Sequence, residues 1–200
     1  TGSTSLQFGV GDFGLEGTVY YWSPSTSGLW KLDVGATQAE SWMNPDNSGY
    51  CVGCHSINLA NAERMAMNFG GGDQWAVVSE ITDPLPPTLA PGTREGNFMT
   101  LDPTGTRMVR SFQGFLYLDD VETGSTLGQV PTVGYATHPD WSPDGSRLVY
   151  SSCTSASTAD WQGHGCSIQL LEVLPGDSFG STATLVPADG YQYYYPSFSP

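Results

Sequence analysis

The chain has 200 residues, of which 25 are glycine and 14 are proline, a content that is high for a helical protein and below that of low-complexity disorder. Only 13% of the residues are charged, and 20 acidic side chains against 6 Lys and Arg give a net charge of −14. Because this charge repels phosphate backbones and anionic lipid surfaces, it excludes nucleic acid as a partner.

The apolar residues are sufficient for a core made of short strands and turns. They form 38% of the chain, and 12% of all residues are aromatic. No apolar run approaches the roughly 18 residues of a membrane-spanning helix, so we expect no membrane span in this chain. No signal-like segment opens the sequence at Thr1, and we therefore expect a processed protein or an internal piece of a longer one.

Four segments alternate apolar and polar residues in the way that predicts a β-strand. Helical periodicity is nearly absent, and residues 36–42 are expected to form a turn or two of helix at most. Each strand is expected to follow a hairpin strand of its own repeat unit. The four predicted strands are residues 29–35, 74–81, 115–124 and 167–173.

The pentapeptide Cys51-Val52-Gly53-Cys54-His55 is the most informative motif of the chain. It has the spacing of a c-type haem attachment signature, which a chain with 4 Cys and 3 His rarely contains by chance. Two thiols at this spacing add to the two vinyl groups on one edge of a porphyrin, and the adjacent histidine lies under the iron. The motif resembles the haem-binding site of c-type cytochromes. The resemblance implies one covalent haem c, attached through Cys51 and Cys54, with His55 as an axial ligand.

Three other uses of the same residues remain open. Cys51, Cys54 and His55 supply three of the four ligands of a structural zinc site. The two cysteines also have the spacing of a thioredoxin-like redox pair, although the βαβ context of that motif is absent from the sequence. A structural disulfide between them is the third alternative. The haem interpretation is favoured because the other two cysteines lie far along the chain.

The second axial ligand is expected on the strand that pairs with the strand of His55. Met65 and Met67 lie on one face of it, because side chains alternate along a strand. A turn centred on Asn61 places Met67 directly opposite His55, where Cβ atoms only ~4.5–5.5 Å apart leave no room for a porphyrin. Met65 lies diagonally, at roughly 7–8 Å, and is therefore the predicted ligand. The alternatives are Met67, Met43, His138, His164 and an open or water-bound site.

An arginine followed by apolar residues recurs along the chain. Arg64, Arg107 and Arg147 lie at intervals of 43 and 40 residues. The clearest copy reads Trp-Ser-Pro-Asp-Gly-Ser-Arg, in which Pro and Gly predict the tight turn of a β-hairpin. The copies are residues 58–67, 101–109 and 141–150, and residues 195–200 begin a further one.

These copies resemble the repeat of TolB-type β-propellers, over roughly residues 18–200. The resemblance implies an all-β fold, a β-propeller of four-stranded antiparallel blades around a central channel. At ~40–45 residues per blade, the chain holds about four to five blades. We expect residues 1–200 to be a single propeller segment, a fragment or a ring completed by a partner. Its units are expected to start near residues 55, 98, 138 and 195, with the haem site at about residues 42–75.

The repeat also gives Met65 a purely structural interpretation. Met108 and Leu148 occupy the equivalent position in copies that contain no haem motif. Met65 is therefore a core residue in the alternative reading of this position.

Cys153 and Cys166 flank a polar insertion, residues 154–165, between two strands that should be neighbours. A disulfide between them would close this loop and stabilise the fold by about 3 kcal/mol in the chain-entropy model. Haem attachment and a disulfide both belong to an oxidising compartment, so we expect a periplasmic or extracellular location. His164, within the insertion, is expected to be solvated.

Two further groups of residues have a structural and a functional interpretation. Residues 191–196 are dense in tyrosine and predict a half-buried strand, with a partner-binding patch as the alternative. A set of acidic residues is expected to be solvated on turns, with a calcium site as the alternative. The set comprises Asp102, Asp119, Asp120 and Glu122.

Together these features predict an electron-transfer protein rather than an enzyme. The expected function is that of a secreted or periplasmic mono-haem c-type cytochrome on a β-propeller scaffold, which exchanges single electrons with a protein partner. Its acidic surface favours a basic partner. One alternative is a haem-relay subunit of an oxidoreductase, or a five-coordinate peroxidatic haem. The other is a non-redox envelope propeller that binds protein or glycan.

Overall fold

The computed structural model describes residues 16–70, 75–81, 94–156 and 162–199. Most of the glycine run at 70–72, the first residue of the predicted strand 74–81, the middle of the 154–165 insertion and Pro200 lie outside the described residues. Within them, the regular elements are β-strands and a single four-residue helix. No helix in these ranges has the length and apolar character needed to cross a membrane.

The strands form four successive antiparallel sheets, which we call blades 1 to 4. Blade 1 comprises β1 (Thr18–Ser23), β2 (Gly28–Asp33) and β3 (Glu40–Met43), and helix α1 (Pro45–Ser48) follows it. Blade 2 comprises β4 (Val52–Ile57), β5 (Arg64–Phe69) and β6 (Trp75–Glu80). Blade 3 comprises β7 (Met99–Leu101), β8 (Arg107–Phe112), β9 (Phe115–Asp120) and β10 (Thr126–Gln129).

Blade 4 contains a small additional hairpin. Its sheet comprises β11 (Tyr135–Trp141), β12 (Arg147–Cys153), β15 (Ser167–Leu174) and β16 (Ser178–Val186). The hairpin of β13 (Ser155–Ala156) and β14 (Gly163–His164) lies in the polar insertion between β12 and β15.

The predicted all-β fold is confirmed, since consecutive strands of each blade pair antiparallel. Blades 3 and 4 have four strands, and blades 1 and 2 have three in the described ranges. The helix expected at residues 36–42 is wrong, because Glu40–Met43 pairs with β2 as an edge strand. The helix begins at Pro45 instead, where the side chain of Asn44 accepts the backbone N–H of Asp46 at 2.9 Å.

The three arginine repeats close their turns with the same pair of hydrogen bonds, although the first turn is one residue longer than the other two. In each, the backbone N–H of the arginine donates to a side-chain oxygen of the residue that begins the turn. The backbone N–H of that residue donates in return to the backbone carbonyl of the arginine. Because the same two bonds close all three turns, these residues are equivalent and set the alignment of the inner strands β4, β7 and β11. The donors are Arg64, Arg107 and Arg147, and the acceptors are Asn58, Asp102 and Ser142, at 2.8, 2.7 and 2.9 Å.

Apolar side chains fill the spaces between neighbouring blades. Met65 and Met67 on β5 point towards blade 1, whereas Ala66, on the opposite face, packs with residues of blade 3. Met65, Met108 and Leu148, each one residue after a repeat arginine, are all 0% exposed. The position after the arginine is thus a core position in every copy.

A buried carboxylate holds two arginines at the junction of blades 2 and 3. Asp119 on β9 is 0% exposed and lies 2.7 Å from Nε of Arg110 and 3.5 Å from Nε of Arg94. The hydroxyl of Thr126 donates to its other oxygen at 2.6 Å. Arg94 also pairs by its backbone with Ala76 on β6. Burial lowers the pKa of Arg94 from its ordinary value, and the charge of Asp119 opposes this shift.

The predicted disulfide between Cys153 and Cys166 is confirmed. It joins the ends of β12 and β15, which are paired strands as expected, with Ser152 opposite Ser167. Its two cysteines are 13 residues apart and both are buried.

We expect replacement of both Cys153 and Cys166 by serine to lower the free energy of unfolding by about 3 kcal/mol, because the unfolded chain regains the entropy of an open loop. Urea denaturation of the two proteins measures the difference. Dithiothreitol should destabilise the wild type to the same extent and leave the variant unchanged. A loss below about 1 kcal/mol would contradict the chain-entropy account.

Candidate functional site

The predicted haem motif, residues 51–55, enters the inner strand of blade 2. Cys51 directly precedes β4, and Cys54 and His55 lie within it. The pairing with β5 is irregular between Val52 and His55, and regular from His55 onward. The expected opposition of His55 and Met67 is confirmed by this register, in which Met65 opposes Ile57.

The imidazole of His55 is held in the manner of a metal ligand. Its ring N–H donates to the backbone carbonyl of Tyr20 on β1. Partial burial lowers the pKa of His55 from its ordinary value, and the hydrogen bond to Tyr20 offsets part of that shift. The ring is therefore neutral near pH 7, and its second nitrogen keeps a lone pair. Histidines that bind metals commonly donate their other N–H to such a carbonyl, which orients the ring.

Cys51 and Cys54 are both free thiols. Cys51 is half-buried, and its carbonyl accepts the N–H of Gly70 at 2.7 Å. Cys54 is exposed. The structural disulfide considered between these two cysteines is therefore not formed in this structure.

An aromatic cluster adjoins the start of the motif. Tyr50 stacks on Phe69 with ring centroids 5.9 Å apart, and contacts the edge of Trp75 at 5.0 Å. Tyr50 is 43% exposed. These rings provide an apolar surface beside Cys51.

A cavity of about 310 Å³ lies beside the inner strands of blades 2, 3 and 4. Cys54 and His55 line it together with residues of the other two blades and of the C-terminal segment. A second cavity of about 310 Å³ shares four lining residues with the first, namely His55, Ser56, Asp140 and Ser197. Together they form a cleft of the size that small-molecule and cofactor sites occupy. Residues from the other elements include Phe98, His138 and Tyr195.

The candidates for the second axial ligand occupy different environments. Met65, Met67 and Met43 are buried in the apolar cluster between blades 1 and 2. His164 is exposed on β14, in the polar insertion. His138 lines the same cavity as Cys54 and His55. The structure thus brings one of these five residues, His138, into the cleft of the haem motif.

The residues present fit a covalent haem better than a zinc ion. Within the described ranges, no three His, Cys, Asp or Glu side chains converge in the manner of a metal site. A structural zinc requires four convergent ligands. A haem c instead receives two thiols at its porphyrin edge and a histidine at its iron, so that the three groups need not meet at one point.

The acidic residues considered for calcium each pair with an arginine, and the expectation that they are solvated on turns is wrong for Asp119, which is buried within β9. Asp102 accepts the N–H of Arg107 in its repeat turn, and Asp119 is buried with Arg110 and Arg94. The two remaining pairs are Asp120 with Arg107, at 2.8 Å, and Glu122 with Arg64, at 2.5 Å.

The strand predicted at residues 191–196 is wrong, since the chain from 187 to 199 has no regular structure. Hydrogen bonds that involve at least one side chain hold this segment in place. The hydroxyl of Tyr193 donates to Asp189 at 2.8 Å, and that of Tyr194 accepts the N–H of Gly163 at 2.8 Å. The N–H of Phe198 donates to the carboxylate of Asp140 at 2.8 Å. These bonds bring Tyr195 against the cavity.

Sequence reasoning did not identify the contacts that His138 makes across blades. Its ring stacks on Phe98 with centroids 3.8 Å apart, and lies 4.2 Å from the ring of Tyr195. The signal was present, because each of these residues precedes its repeat's turn by the same number of positions.

No family model and no curated protein matches this chain. In structure it is similar to hydrazine synthase from Kuenenia stuttgartiensis, with a TM-score of 0.55 and 12% identity, over 84% of this chain and 46% of that one. For an ancestral GH74 enzyme the TM-score is 0.59 at 11% identity, over 91% of this chain and 27% of the other. For a putative TolB from Agrobacterium tumefaciens the TM-score is 0.54 at 16% identity, over 82% of this chain and 58% of the other.

These similarities concern the fold alone, because the identities are too low to carry function. The chain spans between about a quarter and three fifths of the length of these proteins. Since they include propeller proteins and the sheets are antiparallel blades, the predicted β-propeller fold is confirmed.

Proposed function

We propose that this chain is a mono-haem c-type cytochrome built on a β-propeller scaffold, which transfers single electrons to or from a protein partner. One observation supports this most strongly. Residues 51–55 have the haem attachment spacing, Cys54 and His55 line the cleft, and the carbonyl of Tyr20 orients the ring of His55. The fold by itself does not favour this function over others.

Each residue of the motif has a separate role in the proposal. Cys51 and Cys54 form the two thioethers, which tether the porphyrin to the inner strand of blade 2. His55 binds the iron from its free ring nitrogen, while the hydrogen bond to Tyr20 fixes the plane of the ring. A haem held at these points supplies one-electron chemistry through its iron. The stacked rings of Tyr50 and Phe69 offer an apolar surface to the porphyrin on the Cys51 side.

The net charge of the chain and its disulfide support a proposal for the partner and for the location of the protein. The net charge of −14 attracts a cationic partner and speeds its approach, with a rate that falls as salt is added. The disulfide between Cys153 and Cys166 fits an oxidising compartment, and haem attachment belongs to the same setting. We therefore place the protein in the periplasm or outside the cell.

We expect the full chain, produced in a host that attaches haem c, to be coloured and reducible. Under denaturing conditions its mass should exceed that of the polypeptide by one haem, because thioether bonds survive unfolding. Intact mass spectrometry and a reduced-minus-oxidised absorption spectrum provide the measurement. A colourless protein with the mass of its amino acids alone would refute the proposal, and metal analysis of that same sample would then test zinc.

A further inference from the structure

Four residues, one from each of four successive repeat units, line the same cavity. Asn58, Asp102 and Ser142 are equivalent, because the same two hydrogen bonds close their turns. Counting four residues back from each along the inner strand gives Cys54, Phe98 and His138. Tyr195 precedes Ser199 by the same interval, and all four line the cavity. Cys54 in blade 2 and His138 in blade 4 are thus equivalent positions of two units that are separated by the unit of Phe98.

The imidazole of His138 is held firmly among these residues. Phe98 stacks on it with ring planes 25° apart, and Tyr195 meets it at 74°. The backbone of His138 is left-handed, with φ +50°, at an irregularity of β11 between Thr137 and Asp140. A residue other than glycine adopts this conformation at a cost, and such strain concentrates at functional sites. Tyr195 has the same conformation, with φ +52°.

The ring nitrogens of His138 form no hydrogen bond in the described part of the chain. The residue is 3% exposed, and neither Nδ1 nor Nε2 has a hydrogen-bond partner there. Buried polar atoms are nearly always paired, so an unpaired one calls for an explanation. A buried imidazole with two unengaged nitrogens, in the cavity that Cys54 and His55 also line, has the properties of a metal ligand.

We propose that His138 is the second axial ligand of the haem, opposite His55. This rests on the proposed function. The cavity that His138 shares with Cys54 and His55 carries the inference, since the two histidines approach it from inner strands of different blades. Both ligands are then imidazoles, so the iron is six-coordinate and its potential is lower than with a methionine ligand.

The methionine predicted from the sequence fits this role less well. Met65 is 0% exposed and belongs to the apolar cluster between blades 1 and 2. Its counterparts Met108 and Leu148 are equally buried. Packing accounts for Met65 completely, whereas packing against Phe98 and Tyr195 leaves both ring nitrogens of His138 without a partner in the described part of the chain.

Three variants of the full haem-loaded chain test the ligand assignment. His138→Ala removes the proposed ligand. Met65→Leu removes the sulfur and keeps a side chain of similar volume in the core. His164→Ala is the matched control, a histidine exposed on β14. Each is characterised by intact mass, by ferric absorption and electron paramagnetic resonance spectra, by its reduction potential and by titration with imidazole.

We expect low-spin spectra of two imidazole ligands from the wild type, Met65→Leu and His164→Ala. His138→Ala should keep its covalent haem, lose the low-spin signal and regain it when imidazole is added. A wild-type spectrum typical of histidine and methionine ligation, or low-spin His138→Ala with high-spin Met65→Leu, would overturn the assignment of His138 while leaving the proposed function intact. Since the wild-type spectrum identifies the ligands by itself, a His138→Ala chain that fails to fold does not block the test. A wild type without a haem adduct would overturn both proposals.

Discussion

Replacement of both Cys51 and Cys54 by serine is expected to abolish covalent haem attachment completely. A serine hydroxyl does not form the thioether, so the haem that the double variant acquires, if any, should separate from the polypeptide on unfolding. Each single variant keeps one possible thioether, and we expect adducts in reduced yield. Intact mass spectrometry under denaturing conditions, with the haem absorbance of the same fractions, measures the result.

The matched control for this prediction is Ser56→Ala, on the same strand and lining the same cavity. It should keep one haem per chain. The two serine substitutions should disturb the fold little, since Cys54 is exposed and Cys51 half-buried. Far-ultraviolet circular dichroism of the double variant should therefore show the strand content of the wild type. Equal haem content in the wild type and the double variant would rule out attachment through residues 51–55.

Asp119→Asn is expected to lower the free energy of unfolding by about 3–5 kcal/mol, the largest effect on stability that we foresee. Asp119 is 0% exposed and is the shared counter-charge of Arg94 and Arg110. Asparagine keeps the shape of the side chain and removes its charge. Two arginines would then lie buried next to one another without an anion, and a buried uncompensated charge is costly.

Urea denaturation of the wild type and Asp119→Asn measures this effect. The matched control is Glu40→Gln, which breaks the ion pair of Glu40 with Lys31 at the surface of blade 1. Since the Glu40 side chain is 72% exposed, we expect a loss of at most about 1 kcal/mol there. Similar losses in both variants would show that Asp119 does not act as a buried counter-charge.

Local patterns in the sequence predicted much of the architecture. The hairpin turns at the repeats depend on neighbouring residues, such as Gly105 and Gly145, whose φ angles of +74° and +75° suit glycine. The disulfide between Cys153 and Cys166 was predictable because the two flank an insertion between paired strands. The opposition of His55 and Met67 followed from strand register alone.

The errors occurred where tertiary contacts overrule local preference. Residues 40–43 form a strand because β2 offers them a pairing edge, although their own sequence does not favour one. The tyrosines at 191–196 look like a strand, but hydrogen bonds to Asp189 and Gly163 hold them in an irregular path. Arg94 carries no local sign that it would lie beside Asp119, 25 residues away.

The amino-acid sequence by itself determined the repeat, the strand-built character of the chain, the disulfide and the chemistry that residues 51–55 can perform. These properties depend on residue types at short separations, where covalent spacing limits the possible geometry. The tertiary structure decided which distant side chains meet at the central cleft. His138 lies 83 residues after His55, and only the stacking of blades on a common axis, which buries their apolar faces, brings the two to one cavity.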